Sequence, residues 1–281
     1  MNLRSMLERA GNGVYLLPAA AFILLAFNLP VLQLLSLSIR GESTPFSAYL
    51  ELFETSVYVR VILNTFKVAL GSAIGSAVLG YVLAYWIFTL RSPKIRIAIL
   101  AAVGLSFWIS ILVRTYSWIV ILGNNGILNR LLLEWEVIEA PLPLLYNEFG
   151  VLVGTVSLLL PIVVLTVYVA MVAVDKRLMQ AALSLGASQL VVFWKIFFPL
   201  TAPALLASSM LVFILTLGFL VTPAILGGNS VPMIATVLDA TINVLSNWNL
   251  AAALSSVLLV VTLVVYSVYR HQAALGARGG K

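Results

Sequence analysis

The sequence predicts an all-α integral membrane protein with six transmembrane helices and both termini on the cytoplasmic side. Three observations lead there. The 281 residues are 62% hydrophobic and only 9% charged, with a mean hydropathy of +1.10. A water-soluble domain normally carries about a quarter charged residues, and a single soluble core does not bury this much apolar surface. The apolar residues gather in six runs, each near the ~20 residues that a helix needs to cross the hydrocarbon. None alternates in the manner of a barrel strand, and a helix satisfies its own backbone in lipid. Finally, the basic residues fall unevenly among the intervening segments, which sets the orientation.

The first run, Val14–Leu37, follows Arg4 and Arg9. It is longer than a signal-peptide core and has no small-residue cleavage site after it, so it reads as an uncleaved first span. Pro18 and Pro30 are expected to kink or end its helix locally. The second run, Thr65–Phe88, contains GSAIGSAVLG at 71–80. Gly71 and Gly75 form GxxxG, and Ser72, Ser76 and Gly80 repeat the small-xxx-small spacing. Such residues let helix backbones approach closely in lipid. Packing within one bundle and a subunit interface both fit. Ile97–Leu122 is the third run, and Val151–Val174, with Pro161 inside it, is the fourth. Ala202–Leu226 is the fifth and Leu250–Tyr269 the sixth. Between the last two lies VPMIATVLDATINVL, 231–245, a short apolar helical pattern read as a re-entrant or outer-surface helix.

With the N-terminus inside, the cytoplasmic segments hold Arg4, Arg9, Arg91, Lys94, Arg96, Lys176, Arg177, Lys195, Arg270, Arg278 and Lys281. The outer segments hold only Arg40, Arg60 and Arg130, while Lys67 and Arg114 lie within spans. Cytoplasmic loops carry the excess of Lys and Arg, which puts both termini inside. Acids fall mainly outside: Glu42, Glu51, Glu54, Glu134, Glu136, Glu139, Glu148 and Asp239. The net charge of +6 is spread over short loops and forms no stripe, so nucleic-acid binding is not expected. The chain has no Cys, and its one His, His271, lies in the polar tail. Thiolate sites are therefore excluded, and a His-based metal or catalytic site is not expected. No GxxxxGK[ST] loop is present. The apolar runs carry no paired carboxylates for an enzyme site. They also lack the inverted repeats and intramembrane acids usual in a secondary transporter.

MQAALSLGASQLVVFWKIFFPL, residues 179–200, falls on the cytoplasmic side after the fourth span. Asp175 can cap a helix start. Leu178, Ala181, Ala182 and Leu185 recur at helical spacing and form one apolar face. Gly186 suits a left-handed C-cap. A second short helix is expected at about Ser188–Phe197, with Pro199 and Pro203 permitting an abrupt turn back into the membrane. The pattern alone fits both a hairpin resting on lipid and one docked on a partner.

The spacing Q-A-A-x3-G-x9-I-x-F-P (Gln180, Ala181, Ala182, Gly186, Ile196, Pro199) resembles the EAA loop of permease subunits in binding-protein-dependent ABC importers. Gln180 stands where Glu is usual, and Phe198 where Leu is usual. SFWISILVRTYSWIVILGNNGILN (106–129), GFLVTPAILGG (218–228) and SNWNLAAALS are similar to the spermidine/putrescine-type subfamily. The resemblance implies a type I ABC importer permease fold in a bacterial inner membrane. It implies an N-terminal tail, first span and first outer loop over 1–59, a transmembrane core over 60–270 and a tail over 271–281. The 175–200 segment becomes the coupling loop, in which Gln180, Ala181, Ala182, Gly186, Lys195 and Pro199 meet the ATPase. The chain would be half of a translocation pathway for a small organic solute, a polyamine in this subfamily or else another small organic solute or cation. It would not be an enzyme. ATP and Mg would sit on a separate ATPase dimer, and a second, similar but non-identical permease and an external binding protein would complete the importer.

Candidate pathway or gate residues follow. Arg114 lies beside Trp108, Tyr116 and Trp118 in the outer part of the third span. One reading has it reaching the outer headgroups within an aromatic belt. The other puts these aromatic faces on the path of a polycation, whose ammonium groups and methylenes they attract. Asp239 either contacts substrate or faces water. The acidic 134–148 loop either steers cations or docks a binding protein.

Overall fold

The structure, a computed structural model, describes residues 17–40 and 44–278. Arg4, Arg9, Glu42, Lys281 and the side chains of His271 and Arg278 lie outside the described residues, as does the expected helix start at Val14. Helices account for the fold, and among the described residues six helical segments are long and apolar enough to cross a membrane.

In chain order, α1 spans Leu17–Arg40, α2 Ser47–Glu54 and α3 Ser56–Thr89. After a short turn come α4, Pro93–Leu105, and α5, Ile111–Leu122. Next are α6, Ile127–Glu134, and α7, Glu148–Ala173. The segment between the fourth and fifth spans forms α8, Lys176–Ser184, and α9, Gln189–Val192. α10, Phe198–Leu217, and α11, Val221–Leu226, follow. The short apolar α12, Ile234–Asn243, precedes the long α13, Trp248–Arg278.

The chain divides into two compact units. In the first, which contains residues up to Ser56 and Ala240–Val260, α1 and α2 are tied by the Tyr49 hydroxyl donating to Ser38 Oγ at 2.9 Å. Asn247 Oδ1 accepts the Leu250 N–H at 2.9 Å and caps the start of α13. The second unit, Val57–Asp239 with residues from Val261 on, holds every candidate site residue. Its central element is α7, which packs against α4, α5, α10 and α11. It has the highest mean hydropathy of the spans, 2.6, as suits a helix that meets neighbours on several sides. The small residues of α3 also face α7. A Cβ at Gly71 would come within 2.8 Å of Leu152 Cδ2, and one at Gly80 within 2.7 Å of Val163 Cγ1. The GxxxG stripe thus serves packing inside this chain. At the end of the bundle away from the hairpin Val68, Val151, Leu226, Val231 and Met233 form a buried cluster.

Three differences from the sequence expectation concern helix continuity. The third span, expected unbroken over Ile97–Leu122, is interrupted: α4 ends at Leu105 and a 3-10 turn, Ser106–Trp108, precedes α5. The fifth, expected over Ala202–Leu226, breaks at Gly218. The expected turn at Pro199 is absent. Instead a π-helical turn, Phe193–Phe197, joins α9 directly to α10. Pro199 has no N–H for the Lys195 carbonyl, and the wider turn passes that missing bond without ending the helix. Pro30 and Pro161 likewise lie inside continuous helices. Arg60, placed in an outer loop by charge counting, belongs to α3.

Candidate functional site

The 175–200 hairpin is built from local signals. The Asp175 carboxylate accepts the Arg177 N–H at 2.8 Å and caps α8. At the other end the Gly186 N–H donates to the Leu183 carbonyl at 3.0 Å, and the Ala187 N–H to the Ala182 carbonyl at 3.1 Å. These paired bonds form a Schellman cap. It requires the left-handed φ of +86° seen at Gly186, a conformation that only glycine adopts without cost. Ser188 then caps α9 by accepting the Val191 N–H. The hairpin presents Leu178, Ala181 and Leu185 outward, and Leu185 is 89% exposed. Gln180, Lys195 and Pro199 are exposed, while Ala182 is half-buried. This chain therefore leaves the apolar stripe uncovered.

The candidate pathway residues of the third span separate into two groups. Arg114 and Trp118, one helical turn apart on α5, both reach α7. Trp118 Nε1–H donates to Ser157 Oγ at 2.8 Å. Arg114 Nη1 lies 3.4 Å from the Ser157 carbonyl and 3.5 Å from that of Leu158, and Nη2 donates to the Ser106 carbonyl. The reason lies in Pro161, which has no N–H for the carbonyl of Ser157 four residues earlier. The α4–α5 break similarly alters the pairing of Ser106. Arg114 supplies a side-chain donor to the Ser157 carbonyl, and at the break it adds to the Ile109 N–H that the Ser106 carbonyl already accepts. Trp108 and Tyr116 remain outside this contact, and Trp108 is 88% exposed on the interrupted turn.

Asp239 is exposed on α12. The start of that helix is fixed to α3, because Thr65 Oγ1 accepts the buried Ile234 N–H at 2.9 Å. Thr65 was not legible as a site residue, since nothing local distinguishes it from other hydroxyls that bond back to their own helix. Near the start of α7, Lys67 pairs with Glu148 at 2.6 Å. The pair is exposed, so its energetic value is small, about 0–1 kcal/mol. Among the described residues no cluster of His, Cys, Asp or Glu is arranged to hold a metal ion.

Residues 94–275 match the sequence profile of the binding-protein-dependent transport system inner membrane components. The chain belongs to this family. The permease is 32% identical over 231 residues to the spermidine/putrescine transport system permease protein PotB of Haemophilus influenzae, covering 82% of this chain and 80% of that one. It is 26% identical over 283 residues to the putative 2-aminoethylphosphonate transport system permease protein PhnU of Salmonella typhi, covering 98% and 93%. A crystal structure of a bacterial alginate ABC transporter, in complex with its alginate pentasaccharide-bound periplasmic protein, contains a chain of the same fold. That chain superposes with a TM-score of 0.80 at 18% identity, covering 97% of each chain. The permease is an all-helical, multi-pass ABC importer subunit and is not itself an enzyme.

Proposed function

We propose that this permease forms half of the membrane pathway of a polyamine importer in a bacterial inner membrane. The observation that carries the substrate class is the 32% identity to a spermidine/putrescine permease over most of both chains. The charge pattern agrees with it: Glu51, Glu54, Glu134, Glu136, Glu139, Glu148 and Asp239 fall in the segments assigned to the outer face. Acidic surfaces concentrate polycations. Trp108 and Tyr116 offer aromatic faces to ammonium groups. Both termini lie in the cytoplasm.

The 175–200 hairpin docks on an ATPase subunit through its exposed stripe, Leu178, Ala181 and Leu185, with Gln180, Ala182, Gly186, Lys195 and Pro199 around it. ATP and Mg bind that partner. A similar, non-identical permease supplies the other half of the pathway, and an external binding protein delivers the substrate. ATP-driven closure of the ATPase dimer moves the hairpin, and the spans swing to open the pathway on alternate sides.

The likeness to a 2-aminoethylphosphonate permease, lower in identity but longer in span, supplies the competing substrate. The test is uptake of radiolabelled spermidine into membrane vesicles energised with ATP. Competition by putrescine, with none by 2-aminoethylphosphonate, is the expected result. The reverse order would overturn the polyamine assignment and leave the fold and family untouched.

A further inference from the structure

We infer that an aromatic box at the cytoplasmic end of the bundle, closed by the Tyr81–Thr201 hydrogen bond, is the element that carries hairpin motion into the second and fifth spans. This rests on the docking reading of the hairpin. The second limb of the hairpin does not end where it meets the membrane. α9, the π-helical turn and α10 form one uninterrupted helical path from Gln189 to Leu217. A displacement of the hairpin therefore reaches the fifth span through a continuous rod. The first limb, α8, also packs on the π-helical turn.

The link to the second span is made of rings. Tyr81, Tyr85 and Phe88 recur at helical spacing along the last turns of α3. Tyr85 meets Phe193 edge-on at a centroid distance of 5.2 Å and Phe197 at 5.8 Å. Phe88 lies 5.4 Å from Phe197, and Tyr81 lies 5.4 Å from Phe198. Phe197 is 2% exposed. The π-helical turn contributes to this arrangement. Its Phe198 N–H bonds to the Phe193 carbonyl, five residues back. The wider turn lets Phe193 and Phe197 stack on each other, 6.0 Å apart and 30° from parallel.

One directional bond fixes the register. Tyr81 Oη and Thr201 Oγ1 are 3.0 Å apart and buried. The Thr201 hydroxyl lies 3.1 Å from the carbonyls of both Phe197 and Phe198, to which it donates its single proton. Tyr81 is then the donor to Thr201. This chain of bonds ties α3 to the carbonyls on either side of the junction between the π-helical turn and α10. A close-packed cluster with a fixed polar register moves as a body or switches between discrete packings, and does not deform smoothly. Tyr81, Tyr85, Phe193 and Thr201 are thus positioning residues, acting through the spans.

The test uses the complete importer in proteoliposomes, with ATP hydrolysis and radiolabelled spermidine uptake measured in the same vesicles. In T201V and in Y81F/Y85A, the ATPase subunit should still co-purify in full amount. Spermidine moved per ATP hydrolysed should fall by about fivefold or more, the range typical of a lost coupling between sites. T201S keeps the hydroxyl and should keep the wild-type ratio. Wild-type ratios in both T201V and Y81F/Y85A would overturn the inference. So would equal losses in T201S and T201V, which mark packing alone. Loss of ATPase co-purification in Y81F/Y85A would place the box in the docking face instead and also reject the inference. Failure of the docking reading is separable, because it appears as full co-purification of the ATPase with A182D.

Discussion

Gly186 and Arg114 show how single residues meet different demands. No atom lies within 4 Å of where a Cβ at Gly186 would sit, so the constraint there is backbone conformation, not space. Valine at φ +86° would cost about 1–3 kcal/mol and open the Schellman cap. G186V is expected to abolish ATP-driven uptake with membrane insertion intact, whereas G186N, which tolerates the left-handed region, should retain much of it. Parallel uptake and membrane immunoblots check this. Arg114 is constrained by a carbonyl. In R114L the Ser157 oxygen loses its side-chain donor, at a cost of about 1–3 kcal/mol. Replacing Pro161 by Ala returns a helical N–H to that oxygen, so R114L/P161A should be more stable than R114L alone. Thermal unfolding of detergent-purified protein measures the cycle. Asp175 and Gly186 were legible in the sequence because their partners lie within a few residues. Arg114 stood out in the sequence, but its bond to the Ser157 carbonyl did not, because that depends on a proline in another span.

At the scale of elements, the apolar runs marked the spans, but the breaks within them escaped notice. Hydropathy averages over a window and does not register a carbonyl turned away from its helix. Ser106–Ser110 is apolar enough on average to read as continuous span, yet it forms the turn that exposes Trp108. Pro199 misled in the opposite direction. It suggested a turn, while the π-helical turn before it lets the helix continue. The aromatic spacing on α3 was visible in the sequence, but its counterpart depends on that π-helical register. The interrupted third span and α12 present the candidate pathway residues. W108A should weaken a cation–π contact worth about 0.5–2 kcal/mol, and D239N should remove a charge attractive to polyamines. Both are expected to raise the KM for spermidine while the ATPase still co-purifies. Unchanged kinetics in both would remove these residues from the pathway.

The molecule as a whole divides its labour between surfaces of opposite character. The small-residue stripe of α3 is spent on α7 within the chain, so it is not the contact for a second permease. The uncovered hairpin, in contrast, makes sense only with a partner or a lipid surface over it. Composition and run length were enough to read the membrane class and the number of spans. The family followed from one loop's spacing, confirmed by the match over residues 94–275. The most direct test of the central claim is ATP-dependent uptake of spermidine by proteoliposomes holding the complete importer, with wild-type permease compared with A182D. The wild type should accumulate spermidine, and A182D, correctly inserted but with a charge on the docking stripe, should not. Equal uptake by the two, or none by the wild type, would contradict it.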